Sequence, residues 1–462
     1  MAEQIYDAVI AGAGAVGSAI ASRLTREGLS VALVEARSDV GAGTSKANTA
    51  IWHTGFDAKP GTLEADLVGR GHRLLQEGAE RWGWALERTG AVLVAWDEEQ
   101  LARLPSLADN SRRSGYPRTE SLSREQVYVR EPGLGDGVLG GLLVPDEGLL
   151  DPWTIVITLA TDAVLNGAAL LRSTRIIDIE RSTDGQPQRI RCTSDRGTVH
   201  LTTRWFINAA GLGSDLIDRA AGHDGFTITP RRGQLIVLDK LARGLLSHVI
   251  LPVPTATTKG VLVSPTVYGN VLVGPTAEDL TDRTAVDTTG EALRGLLERG
   301  RRILPALTDA EITATYAGLR AATEHVDYCY EVDPADRYVR VGGIRSTGIS
   351  SCMAIAERLV DDLRECGVTM TPITQPVTRR SPALAESQRR PYEDADLIAT
   401  DPSYGEIVCL CERTTLGEIR DALRSPVAAV DIDGLRRRTR ALAGRCQGFH
   451  CGARITELLE QR

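Results

Sequence analysis

Tyr6-Asp7-Ala8-Val9-Ile10-Ala11-Gly12-Ala13-Gly14-Ala15-Val16-Gly17 is followed by Ser30-Val31-Ala32-Leu33-Val34-Glu35. Tyr6–Ala11 is an apolar run of β-type residues. Ala15–Glu27 then places Val16, Ile20 and Leu24 at helical spacing, and Gly28 stops it. Ser30–Glu35 reads as a second strand. The three pieces predict one βαβ unit with Gly12, Gly14 and Gly17 at the first turn. In such a turn the first glycine permits the bend. The second lets backbone approach a pyrophosphate, and the third lets helix pack on strand. The helix N-terminus offers free N–H groups to phosphates. Glu35 ends the second strand, where a carboxylate accepts hydrogen bonds from ribose hydroxyls and disfavours a 2′-phosphate. The pattern predicts dinucleotide binding.

Gly41–Ala50 continues as a loop of glycine, serine, threonine and asparagine, in which Thr44, Ser45 and Asn48 can line a diphosphate or a flavin ring. A plain NAD dehydrogenase would continue with another βαβ unit. Further on, Trp205–Ala210 and Tyr338–Val341 are apolar strands that each run into glycine. Between them Gln234–Leu238, Val261–Ser264 and Val271–Val273 read as strands separated by turn signals such as Tyr268-Gly269-Asn270. The expected fold is therefore α/β (α+β): a Rossmann-like FAD-binding domain with an inserted antiparallel-sheet substrate domain. The expected boundaries are 1–88, 150–225 and 325–370 for the first, and 89–149 and 226–324 for the second. Pro372, Pro376, Pro382, Pro391 and Pro402 mark 371–404 as an extended linker. A compact unit, 405–462, closes the chain.

At 462 residues the chain has room for two or three domains. A formal net charge of −8 argues against nonspecific nucleic-acid binding. No apolar run reaches the roughly 18–20 residues that span a bilayer, and the opening lacks the pattern of a signal peptide. The expectation is a cytoplasmic protein, with peripheral membrane contact through a partner left open. Cys192, Cys329, Cys352 and Cys366 are scattered and read as small buried side chains. Cys409, Cys411, Cys446 and Cys451 form two close pairs, a pattern of metal or redox work.

The glycine turn, Glu35, Thr44-Ser45-Lys46-Ala47-Asn48, Asn208-Ala209-Ala210-Gly211 and Gly342-Gly343-Ile344-Arg345-Ser346-Thr347-Gly348 together resemble the flavoprotein oxidoreductases of the D-amino-acid oxidase superfamily. Within it the chain is most similar to the anaerobic-type glycerol-3-phosphate dehydrogenase group, and related 2-hydroxyacid dehydrogenases look similar. The resemblance covers essentially the whole chain. It implies that Gly12, Gly14, Ala15, Val16, Gly17, Glu35, Ala36 and Arg37 meet the FAD diphosphate and ribose. It places Thr44, Ser45, Ala47 and Asn48 along the flavin. Ile176 would meet adenine through its backbone, and Ala210 and Gly211 would close a second FAD loop. Gly343, Arg345, Ser346, Thr347, Gly348 and Ile349 form the turn whose helix points at the flavin pyrimidine. There a helix N-terminus would stabilise negative charge on the reduced ring.

Flavin dehydrogenation of an alcohol needs a base for the hydroxyl proton and cations for an anionic substrate. His53, in Ile51-Trp52-His53-Thr54-Gly55-Phe56, is the expected base, and Arg320 and Arg345 are the expected anion clamps. Lys259 is a further candidate cation, His325 a reserve base, and Gln234 matches a family position of undefined role. The sequence departs from the glycerol-3-phosphate enzymes after the loop histidine. Phe56, Asp57 and Ala58 stand where an arginine is usual, with Lys59 beyond. That leaves another hydroxyacid or polyol phosphate open as substrate.

Cys409-Leu410-Cys411 and Cys446-Gln447-Gly448-Phe449-His450-Cys451 are separated by 34 residues, enough for a helix-turn-helix. Thr415 and Glu418 predict a capping box that starts a helix running to about Leu423. The pattern resembles the bacterioferritin-associated ferredoxin type of [2Fe–2S] domain, which implies four cysteine ligands. Tetrahedral zinc is the rival occupant, and His450 reads as a neighbour of the site. Arg436, Arg437, Arg438 and Arg440 read as a solvated basic face, part of which offsets the charge of the cluster. The whole implies two electrons taken by FAD, relayed singly to the [2Fe–2S] cluster, then to an electron-accepting protein (a second flavoprotein or iron–sulfur subunit) or a quinone. The alternatives are a non-catalytic redox sensor that binds FAD and metal, and one component of an amine or imino-acid dehydrogenase.

Overall fold

The computed structural model describes residues 4–180, 186–254 and 260–461. Its centre is an eight-stranded sheet. The strand Ile5–Ala11 lies parallel to Val31–Val34 on one side and to Gly197–Asn208 on the other. Ala169–Leu171 and Tyr338–Gly342 extend the parallel set outward. Parallel neighbours need long crossovers. That is why this domain is assembled from three separate stretches of chain. The helices Ala15–Arg26, Leu63–Trp82, Thr154–Leu165 and Gly348–Glu365 pack together beside the sheet, with Ile20, Leu24, Leu67, Leu75, Ile155 and Leu359 fully buried between layers.

The helix Ala15–Arg26 begins and ends where the sequence predicts, within a residue. Gly12 has φ +96, and a Cβ there would meet Ala209 O at 2.6 Å. A Cβ on Gly17 would lie 1.8 Å from Gly12 O. Both glycines are therefore demanded by the turn itself.

The inserted domain is a nine-stranded sheet. Its longest pairing joins Thr229–Leu238 to Ile312–Ala322, antiparallel, with Gly233 opposite Gly318 and Arg231 opposite Arg320. The sheet departs from the all-antiparallel expectation at one pair. Val249–Pro252 runs parallel to Ala91–Ala95. These strands come from the two separate insertions, so no hairpin dictates their direction.

Residues 371–404 wrap both domains. Ile373 N donates to Arg26 O, Ser381 N to Trp82 O, and Glu386 N to Val267 O. The segment buries Leu384 and Ala385 and holds one short α-helix, Ala395–Thr400, between two 3-10 turns. The C-terminal unit has three helices, Leu416–Arg424, Ile432–Thr439 and Gly452–Glu460. Thr415 caps the first through the full capping box with Glu418. Its small core comprises Ile419, Leu435, Leu442 and Ile455 around Cys409 and Cys451.

The basic run of this unit is not a solvated face. Arg437 and Arg438 are buried and converge on Asp39, at 2.7 Å and 2.6 Å, in the loop after the second strand. Arg440 is buried against Glu412 at 2.9 Å, with its guanidinium 4.0 Å from the Tyr268 ring centroid. Lys46 reaches Asp433 at 2.8 Å, and Ser38 donates to Asp431. The arginines dock the unit on both larger domains. A run of like charge says nothing about the single acid that each member will find in the folded chain.

Candidate active site and cysteine centre

The nucleotide turn fits an anionic group. The helix Ala15–Arg26 has Gly14 at its N-cap, which makes no side-chain bond, and no acid in its first turn, so no acid of its own offsets its positive end. Glu35 is fixed by two backbone donors. Ala13 N–H reaches Oε2 and Arg37 N–H reaches Oε1, each at 2.8 Å. Ala36 and Arg37 are exposed beside it. Ile176 lies in the strand Thr174–Glu180, whose first residue bonds to the Glu35 carbonyl. Ala15 N–H donates to Ser45 Oγ at 3.0 Å, which ties the second glycine loop to the first.

That second loop is braced by the inserted sheet. Thr44 Oγ1 donates to Leu319 O, and Tyr316 OH donates to Asn48 O at 2.6 Å. A Cβ on Gly318 would meet Ala47 O at 2.2 Å, so strand and loop are in close contact. Arg320 lies two residues along this strand. Among the described residues no acid pairs with it, and burial together with the nearby Arg231 charge lowers its pKa from the usual arginine range. Among those residues it is a cation without a counter-ion.

Arg345 differs. Its Nη2 donates to Glu64 Oε2 at 2.8 Å and to Val326 O at 2.7 Å, while Thr347 Oγ1 donates to Glu64 Oε1. Its charge is already matched. It lies in the turn that begins at Gly343, which has φ +64, and runs into the helix Gly348–Glu365. That helix, which includes Ile349, has no side-chain cap at Thr347 and no acid in its first turn. Ser346 is exposed, Gly211 has φ +56, and Ala210 precedes it at the end of the neighbouring strand.

His53 is placed by a short β-pair. Trp52 registers with Gly148, which sets His53 against Glu147. Its Nδ1 lies 3.2 Å from Glu147 Oε1, and Thr54 N–H donates to Oε2 at 2.8 Å. The His53 backbone N–H donates to Ser350 Oγ in the helix after the glycine turn. Glu147 is fully buried. Burial alone would lower the pKa of His53, but the Glu147 charge and hydrogen bond outweigh it and hold the pKa above the ordinary value. With its proton on Nδ1, His53 keeps Nε2 free as an acceptor. His72, which stacks on Trp52 at 4.0 Å, is pushed down to about 4 by burial. It stays neutral beside this pair.

Glu147 was not legible as a site residue. The only signal is an acid inside the apolar stretch Leu142–Leu150, within Asp146-Glu147-Gly148. His325 is half exposed, 3.0 Å from Gly225 O, and lies outside this arrangement. Gln234 is buried, and its Oε1 accepts from Thr289 N at 2.7 Å, so it fastens the inserted domain. Lys259 lies outside the described residues.

The four paired cysteines converge. The sulfur of Cys411 interacts with that of Cys446, and the sulfur of Cys409 with that of Cys451. No three of the four sulfurs lie within 4.8 Å of one another. A mononuclear tetrahedral site with bonds of ~2.3 Å would bring all four to ~3.8 Å. Two separate pairs suit two metal atoms. Of the scattered cysteines, Cys192 and Cys352 are fully buried and pushed up to about 11 and about 12; Cys329 and Cys366 are half-buried.

Comparison with known proteins agrees with this geometry. Residues 7–362 match the DAO family, described as FAD dependent oxidoreductase, and residues 407–461 match the BFD-like [2Fe-2S] binding domain. A glycerol 3-phosphate dehydrogenase of Caloramator mitchellensis is 38% identical over 459 residues, covering 98% of this chain and 94% of that protein. One chain of the anaerobic glycerol-3-phosphate dehydrogenase of Escherichia coli (strain K12) is 26% identical over 502 residues, covering 99% and 88%. The FAD-bound L-alpha-glycerophosphate oxidase of Mycoplasma pneumoniae superposes with a TM-score of 0.76 at 28% identity, covering 82% of this chain and 100% of that one. Two glycine loops, uncapped helix ends and paired thiols thus coincide with the matched regions, and the chain belongs to the FAD-dependent oxidoreductases of the DAO family, with a BFD-like [2Fe–2S] domain following.

Proposed function

We propose that this protein oxidises glycerol 3-phosphate, and that the unpaired Arg320 beside the second glycine loop receives the phosphate. The observation that carries the reading is this cation without a counter-ion on a strand bonded to the loop that leads into His53. Relatives that bear glycerol 3-phosphate in their names, one of them 38% identical, support the choice of substrate. A guanidinium holds a phosphate with two parallel hydrogen bonds, which fixes the distance from anion to reacting carbon. Arg345, anchored by Glu64, orders the flavin turn and keeps further N–H groups for the substrate.

The reaction needs the hydroxyl proton removed as the C–H electrons leave. His53 Nε2 accepts that proton, and Glu147 fixes the tautomer and offsets the charge that forms on the ring. FAD, when bound, supplies the acceptor for the two electrons and the hydrogen of the substrate carbon. Gly12, Gly14, Ala15, Val16, Gly17, Glu35, Thr44, Ser45 and Asn48 hold it, and Cys409, Cys411, Cys446 and Cys451 hold the cluster. The cluster, when bound by these cysteines, would supply a one-electron relay to a protein acceptor or a quinone, in the cytoplasm.

The test is anaerobic titration of the purified protein with glycerol 3-phosphate, followed by absorption. Loss of the flavin bands at one equivalent of substrate is expected. Bleaching by 2-hydroxyglutarate or an amino acid, with none by glycerol 3-phosphate, would overturn the substrate assignment.

A further inference from the structure

Glycine in the interior of a strand weakens it and marks a place where another group approaches closely. The longest pairing of the inserted sheet has two such glycines directly opposite each other, Gly233 and Gly318. Neither has a positive φ, so the strand backbone does not demand them. Gly318 is explained by Ala47 O, which lies 2.2 Å from where its Cβ would stand. Gly233 is explained by Arg320. A Cβ on Gly233 would lie 2.9 Å from Arg320 Nη2 and 3.2 Å from its Cζ, with Pro275 Cβ at 3.1 Å. Residues 318 and 320 share a face of their strand, and directly opposed residues of antiparallel strands share a face of the sheet. Arg320 therefore projects on the face that meets the second glycine loop, and its guanidinium fills the space that Gly233 leaves bare.

We propose that Gly233 is the positioning residue of the anion site: its missing side chain seats the Arg320 guanidinium against the sheet, so that the group is held by shape and keeps its charge for a phosphate. The inference rests on the reading of Arg320 as the phosphate ligand. Two other arginines show the alternative. Arg345 is held by Glu64 at 2.8 Å. Arg231, directly opposite Arg320, donates from Nε and Nη2 to Asp279 at 2.6 Å and 2.9 Å. An acid fixes an arginine but also matches its charge. Arg320 has no acid partner among the described residues, and burial and the Arg231 charge both disfavour its charged form. Such a cation gains most from an anion that arrives beside it. Without an ion pair, a long side chain is free to turn about its torsions. The bare strand beneath the guanidinium removes part of that freedom beforehand, which lowers the cost of ordering it on binding. Two parallel hydrogen bonds to a phosphate require a fork that is already in place.

The experiment is titration of the full-length oxidised holoprotein with inorganic phosphate, followed by calorimetry and by the flavin absorption bands. In Gly233→Ala the first atom met is the far end of a flexible side chain, so Arg320 swings away while the strands keep their pairing. Flavin content and melting temperature are expected to stay close to those of the unmodified protein. The Kd for phosphate is expected to rise about 10-fold, as when one charge-assisted hydrogen bond is lost. With glycerol 3-phosphate the change is expected in KM more than in kcat. Coupling separates seating from a general loosening of the sheet. Arg320→Ala weakens phosphate binding, and adding Gly233→Ala to it is expected to change nothing further. Equal losses in both backgrounds, or an unchanged phosphate affinity in Gly233→Ala, would overturn the inference. Should Gly233→Ala not accumulate as holoprotein, a crystal structure of the unmodified holoprotein with phosphate decides. A guanidinium that binds the phosphate while still over Gly233 supports the seat, and one lifted away from it overturns the seat. Undiminished phosphate binding in Arg320→Ala would instead refute the reading of Arg320 beneath the inference.

Discussion

At the scale of single residues, the site depends on two charges with different partners. Glu147 is fully buried and holds His53 through Nδ1. His53 must be neutral to accept a proton, so kcat/KM is expected to fall as pH drops through its raised pKa. Glu147→Gln removes the charge that raises it. The acid limb of the pH profile should then move to lower pH, and kcat should fall on the order of 10²-fold. A pH–rate profile of both proteins checks this; an unmoved acid limb would show that His53 is not the titrating base. Arg320→Ala removes a charge-assisted contact worth about 1.5–3 kcal/mol. An increase in KM for an anionic substrate of about 10- to 150-fold is expected, with the flavin content unchanged. Steady-state kinetics and the ratio of flavin to protein absorbance separate the two effects. His53 and Arg320 stand out in the sequence as a histidine after a loop and an arginine after Gly318. Glu147 does not, because its role comes from a β-register between residues 94 apart.

At the scale of elements, the first turn and the docking helix make opposite demands. The turn needs the absence of side chains. Gly12→Ala adds a Cβ that meets Ala209 O at 2.6 Å in a backbone conformation with φ +96. Loss of bound FAD after gel filtration is the expected result, read from the absorption spectrum. The helix Ile432–Thr439 needs one particular acid across the interface. Asp39 accepts from Arg437 and Arg438, and its pKa is lowered: burial alone would raise it, but the two arginines outweigh that effect. A carboxylate with a lowered folded-state pKa contributes stability above its ordinary pKa, and that stability is lost as pH falls through the lowered value. The dock should therefore hold at neutral pH and fail only in strong acid. Asp39→Ala leaves two guanidinium groups buried without their anion, which costs about 3–5 kcal/mol. Faster amide hydrogen exchange confined to 432–439 and to the facing loop near Asp39 is the expected signature. The capping box at Thr415 and the βαβ opening were legible because each is local. The buried fate of Arg437, Arg438 and Arg440 was not, since a basic run has the same sequence whether it faces water or a distant carboxylate.

For the whole molecule, the cysteine domain is not a bead on a string. It touches the nucleotide domain through Asp39 and Lys46, and the inserted domain through Lys240, Tyr268 and Asn270. The segment 371–404 ties both larger domains together beneath it. An interface of buried ion pairs couples the units, so the holoprotein is expected to unfold in one calorimetric transition. Asp39→Ala should split it into two, with the cysteine domain melting first; a single unshifted transition would show that the dock contributes nothing. The sequence by itself determined the nucleotide turn, the second glycine loop, the two thiol pairs and the alternation of parallel and inserted strands. Each of these is written in spacing over a few residues, where backbone geometry and period leave little choice. Only the tertiary structure decided which carboxylate orients His53, that Arg320 is buried with no acid partner among the described residues, where the basic run docks, and which two cysteines stay half-buried. Those depend on burial and on partners far apart along the chain, and the electrostatics of a side chain are fixed only once its neighbours in space are known.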